Sequence, residues 1–277
     1  MLPNLILIPL VVAAVLFSSV CSQAKEQKGE NKACAAKIQF DDLQISTTPE
    51  SQDRGYILQF SRDGSALMAQ ECAFKVHKPE IVEGFPLKEC RSLFTYCFSG
   101  GAHCCMTVTL ATHCGPRHFL NTIDFAHSDA RVKFVDADKN GTKEIKVIDW
   151  QFAYYGPEGS ELQLSFVDSP PLTRLLVYGK EGWRVDRIGE FVRFYADLCN
   201  SARQEARTSR RGKTYPARTA GKAIKAAYYC LMAGKPSGEA LEVLDRLLPQ
   251  SWKPESGKII EDIKRSATEF NPIESVE

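Results

Sequence analysis

The chain of 277 residues carries 35 Lys and Arg against 34 Asp and Glu, a net charge of +1, and 25% of its residues are charged. That balance excludes a strongly basic nucleic-acid binder and a charged, disordered chain. The length is enough for one large domain or two modest ones with apolar cores.

Residues 1–24 read as an export signal. Leu5 to Val20 is an almost unbroken apolar run of 16 residues, followed by Ser22, Gln23 and Ala24 before a polar start at Lys25. A membrane-spanning helix needs about 20 apolar residues, so the run suits a cleaved signal better than a permanent anchor. No Lys or Arg precedes Leu5, which keeps a tether as the second reading. Cys21 adds a third, because a cysteine closing a signal is the acylated residue of a bacterial lipoprotein; Val20 stands where that pattern uses Gly or Ala. The expected location is periplasmic or secreted, with a lipoprotein as the alternative and the N-terminal anchor at Cys21 as its membrane contact.

Residues 25–33, rich in Lys and Glu without a large apolar side chain, read as a solvated spacer. From Cys34 to about residue 188 apolar residues alternate in short runs, as in Tyr56-Leu58-Phe60, Val132-Phe134, Ile145-Val147 and Leu175-Val177. That period of two predicts half-buried strands. Asp63-Gly64, Asn140-Gly141 and Glu181-Gly182 are spaced like the turns of an antiparallel sheet. Nine of the ten cysteines lie beyond the signal, and seven of those fall between Cys34 and Cys114. Such density suits disulfides in an oxidising compartment, and an odd count leaves at least one thiol free, metal-bound or paired with another chain.

The segment Cys97-Phe98-Ser99-Gly100-Gly101-Ala102-His103-Cys104-Cys105, followed by His113-Cys114, concentrates soft ligands. Its simplest account is structural disulfides. A zinc or copper site at His103, Cys104, His113 and Cys114 is the second reading, although neither C-x-x-C nor a paired histidine motif is present. A metal- or thiol-dependent exported enzyme using His103, Cys104, Cys105, His113 and Cys114 is the third, since a nearby histidine can favour a thiolate.

The sharpest motif is Asp136-Ala137-Asp138-Lys139-Asn140-Gly141-Thr142-Lys143-Glu144. Oxygen-bearing side chains stand at positions 1, 3, 5 and 9 around a glycine at 6, and the Thr142 carbonyl supplies position 7. Calcium takes six to eight oxygens at about 2.3–2.6 Å, so Asp136, Asp138, Asn140, Thr142 and Glu144 are the candidate ligands. Position 12 is Val147, not the bidentate Glu of an EF-hand, and the flanks read as strands. The alternative is a tight Asn140-Gly141 turn of type I′ with solvated acidic flanks.

The spacing D-x-D-x-N-G-x-x-E resembles the calcium loops of FG-GAP repeats in integrin-like propellers, here in a single copy, which implies a calcium-binding hairpin. The string Ser99-Gly100-Gly101-Ala102-His103-Cys104-Cys105 with such a hairpin after it is similar to exported bacterial proteins without an assigned activity. That likeness spans roughly residues 94–185 and implies an exported β domain.

After Gly189 the period becomes helical: Phe191, Phe194, Tyr195, Leu198, Ala202; Ala220, Ile224, Ala227, Leu231; Leu241, Leu244, Leu248; Ile259, Ile263, Ala267. Asn271-Pro272 ends the last helix. Cys199 and Cys230 fall on the apolar faces of two of them, where a disulfide is favoured over two buried thiols. Arg203 through Lys225 read as a basic, solvated linker interrupted by Gly212 and Pro216.

The expected architecture is α+β: an antiparallel, disulfide-rich β domain over 34–188 with the calcium-loop hairpin, then about four helices over 189–277. No nucleotide loop, nucleophile elbow or helical zinc-protease motif occurs. The expected role is calcium-dependent binding to a protein or polysaccharide of the cell envelope, without nucleic acid, and not catalysis.

Overall fold

The computed structural model describes residues 18–19, 36–49, 55–98, 106–125, 132–156, 162–211 and 215–276. The expected signal, Ser18 and Ser19 apart, and the spacer lie outside the described residues. The chain is α+β, with antiparallel sheets followed by four helices among the described residues, as the change of period predicts.

It divides into two compact units, Met1–Lys75 and Val76–Glu277. The first is a meander, β1 (Ser18–Ser19), β2 (Ala36–Phe40), β3 (Leu43–Pro49), β4 (Tyr56–Arg62) and β5 (Ser65–Cys72), hydrogen-bonded in chain order. Strand alternation sends Ile38, Phe40, Leu43, Ile45, Leu58 and Phe60 to one buried side, where Ile38 faces Ile45 and Ile45 faces Phe60. Asp63 and Gly64 both take positive φ between β4 and β5, the backbone that a two-residue hairpin of matching twist requires.

The second unit has three layers. Its outer sheet runs β14 (Ile273–Val276), β9 (Arg117–Asp124), β8 (Met106–Cys114), β7 (Arg91–Phe98), β6 (Lys75–Glu83). The middle sheet runs β10 (Lys133–Val135), β11 (Glu144–Asp149), β12 (Leu172–Gly179), β13 (Gly182–Val185). The third layer is α1 (Val192–Arg211), α2 (Pro216–Met232), α3 (Ser237–Leu247) and α4 (Ser256–Glu269). Along β12, Leu176 and Tyr178 join the core with Ile145, Phe94 and Val108, while Leu175 and Val177 join the helices around Tyr228 and Trp252. Both faces of β12 are covered, so Leu175-Leu176-Val177-Tyr178 reads as a continuous apolar run and not as strict alternation.

The change of period at 188/189 falls within the second unit, whose helices complete a core with Phe152, Leu164, Leu172 and Leu175. One expectation needs correction. The basic linker is mostly helix: Arg203, Arg207 and Arg210 lie on α1 and Arg218, Lys222 and Lys225 on α2. Small residues there carry the packing that large ones carry elsewhere; Ala202, Ala206 and Ser209 are buried, as are Thr219, Ala220 and Ala223. Beyond the helix end at Asn271-Pro272, Ile273–Val276 pairs with β9.

Disulfides Cys90–Cys114 and Cys199–Cys230 close within the second unit, the latter as the helical period predicts. Cys72 and Cys97 are also disulfide-bonded, and no cysteine among the described residues is free. These bonds belong to an exported, non-cytosolic protein. Among the described residues no helix is long and apolar enough to cross a membrane.

Candidate functional site

The loop of residues 136–143 joins β10 to β11, whose register pairs Val135 with Glu144 and Phe134 with Ile145. Both flanks are strands, as the alternation predicts. Asn140 and Gly141 do not form the two-residue type I′ turn: the loop is longer, and its left-handed residues are Lys139 and Gly141, with φ of 62° and 89°. The acidic side chains organise the loop by accepting its backbone N–H groups. Asp136 accepts from Asn140 N at 3.0 Å and from Gly141 N at 3.1 Å. Asp138 accepts from Asn140 N at 3.1 Å and from the Asn140 amide nitrogen at 2.8 Å. The Asn140 amide oxygen accepts from Thr142 N at 2.6 Å.

Glu144 stands at the base of the loop, 1% exposed, while Asp136 and Asp138 are exposed at its rim. Its carboxylate accepts from Ala137 N at 2.8 Å. One ligand oxygen from each of Asp136, Asp138 and Glu144 lies within 4.8 Å of the others. Two oxygens on opposite sides of a calcium ion are about 5 Å apart, so one cation fits between all three. Burial pushes the Glu144 carboxyl up to about 7; the Ala137 N–H opposes this, and the charges of Asp138 and Asp136 add to it. Backbone N–H groups offset part of the charge of these three carboxylates, and a proton or a cation would offset the rest.

The cysteine-histidine cluster divides differently. His103, Cys104 and Cys105 lie outside the described residues. Cys114 is bonded to Cys90 and offers no thiolate, which corrects its assignment to a soft-metal or thiol site. His113 faces His118 across the β8/β9 ladder with ring centroids 4.1 Å apart, and its Nε2 lies 2.7 Å from the Gly115 carbonyl.

A buried polar cluster escaped the sequence reading. Arg174, 1% exposed, donates Nε to Asp186 Oδ1 at 2.8 Å, Nη2 to the Asp186 carbonyl at 2.8 Å and Nη1 to the Tyr228 hydroxyl at 3.0 Å. Tyr195 donates its hydroxyl to the other Asp186 oxygen. Nearby, the Ser266 hydroxyl donates to Asp149 at 2.8 Å. The available signal was a charge inside the apolar run of β12. The cluster's polar groups are bonded to one another and tie β12, β13, α1, α2 and α4 together, a structural arrangement.

Comparison with known protein families, curated proteins and solved structures finds no significant match to this chain.

Proposed function

We propose that this chain is an exported calcium-binding protein in which Ca²⁺ sits in the Asp136–Glu144 hairpin loop and rigidifies it for binding or assembly in the cell envelope. The observation that supports this reading is the convergence of Asp136, Asp138 and Glu144 on one point, with Glu144 buried where an uncompensated charge is costly. The spacing D-x-D-x-N-G-x-x-E, resembling FG-GAP loops, adds Asn140 and the Thr142 carbonyl as further hard oxygens. Millimolar calcium outside the cytosol suits an exported module of modest affinity. Release into the periplasm or medium after Ala24 is the preferred form, and it removes β1; acylation at Cys21 is the alternative. A binding role is preferred to catalysis because the thiol constellation loses Cys114 to its disulfide.

Thermal unfolding with calcium and with chelator tests this. Calcium at 100 times its Kd stabilises the native state by about 2.7 kcal/mol, and D136N/D138N abolishes the increment. An unchanged melting temperature on adding calcium overturns the proposal.

A further inference from the structure

Arg203, Arg207 and Arg210 repeat at i, i+4 and i+7 on α1, which places them on one stripe of the helix. Across from them, Arg246 stands in the last turn of α3, and the four line a groove of about 450 Å³ with Val243 and Leu247. Arg210 Nη1 donates to the Arg246 carbonyl at 2.6 Å, so the two helix ends are held together at this groove.

Among the described residues little neutralises that charge. Arg246 has there only the exposed i, i+4 pair with Glu242, a contact of small worth in water. Glu205, on the same helix as the stripe, pairs instead with Lys225 of α2. Among the described residues neither Arg203 nor Arg207 has a carboxylate partner. The C-terminal dipoles of α1 and α3 account for cations at Arg210 and Arg246, each in the last turn of its own helix, but not for Arg203 two turns earlier or for Arg207. Guanidinium groups stay protonated at any ordinary pH, so the repulsion among them is not relieved by titration, unlike that among the carboxylates of the hairpin loop.

We infer that the α1/α3 groove is a binding site for a phosphate-bearing anion. Phosphate fits better than a carboxylate because it offers three acceptor oxygens and up to about two negative charges to several planar forks at once. The same group is presented by a soluble phosphorylated compound or by an anionic phospholipid headgroup. The groove shares no residue with the hairpin loop.

The experiment uses the full chain in calcium-free buffer containing chelator, so that the loop cannot contribute. Pyrophosphate binding is followed by calorimetry, and co-sedimentation is measured with phosphatidylglycerol and phosphatidylcholine vesicles. Binding of pyrophosphate that weakens roughly tenfold or more in R203Q/R207Q supports the inference with a soluble source. Binding of phosphatidylglycerol vesicles alone, lost in the same variant and absent with phosphatidylcholine, supports it with a lipid source. The lysine variant R203K/R207K keeps the charge but loses the forked geometry, and its intermediate affinity marks recognition of phosphate and not of charge in general. R246Q, on a side chain exposed enough to leave the fold intact, gives the same loss if the double variant fails to fold. Binding of neither probe, equal binding by wild type and variants, or binding only of a carboxylate polymer such as polygalacturonate overturns it.

Discussion

Glu144 and Arg174 show how burial acts on a charged side chain in opposite ways. Glu144 has an ordinary carboxyl pKa of 4.5 when unfolded and about 7 when folded. Between those values the native state binds more protons, so the stability it contributes is fully present below pH 4.5 and is lost as pH rises through about 7. Without calcium, wild type is therefore more stable at pH 5 than at pH 8 relative to E144Q, which titration of the urea midpoint of both proteins measures. Under the proposed calcium binding, which needs the carboxylate, stabilisation by added calcium is expected to grow over the same interval. Arg174, by contrast, keeps its charge because Asp186 and Tyr228 meet its donors. R174A leaves Asp186 buried without its partner and costs about 3–5 kcal/mol in urea unfolding. R174M/D186L recovers part of that loss and not all, since Tyr195 and Tyr228 lose a partner each.

At the scale of elements, close approach decides where α2 can sit. A Cβ on Gly221 would lie 2.0 Å from the Asp168 carbonyl oxygen, on the 3₁₀ turn Phe166–Asp168. Neither side of that contact is a flexible side-chain end, so G221A displaces α2 or the turn and destabilises by about 1–3 kcal/mol, read as a lowered melting temperature. Its position is invisible in sequence, where Gly221 is a mid-helix glycine that propensity alone would replace by alanine. The helices themselves were legible because Tyr195, Ile224, Leu244 and Ile263 recur at their period. The end of α1 beyond Ala202 was not, because Ala206 and Ser209 pack by being small and leave no apolar signal.

Across the whole molecule the covalent links set how the parts hold together in an oxidising compartment. The Cys199–Cys230 bond joins α1 to α2 across 31 positions of sequence. Removing it as C199A/C230A costs about 3–4 kcal/mol by loop-closure entropy, and wild type unfolded with reductant present, which also opens Cys90–Cys114, shows a midpoint lowered at least as far. A midpoint insensitive to both changes would mean the helical layer is held by packing alone.

The sequence by itself determined the α+β class, the hairpin carrying the acidic loop and the four helices, and it favoured the Cys199–Cys230 pair, because each depends on local period, turn chemistry or a residue's face within one element. Tertiary structure alone decided that Glu144 is buried while Asp136 and Asp138 are exposed, that Cys114 belongs to Cys90, and that Arg246 meets the arginines of α1. Those outcomes depend on which distant surfaces come into contact, and burial, pairing and convergence are properties of the contact and not of the spacing along the chain.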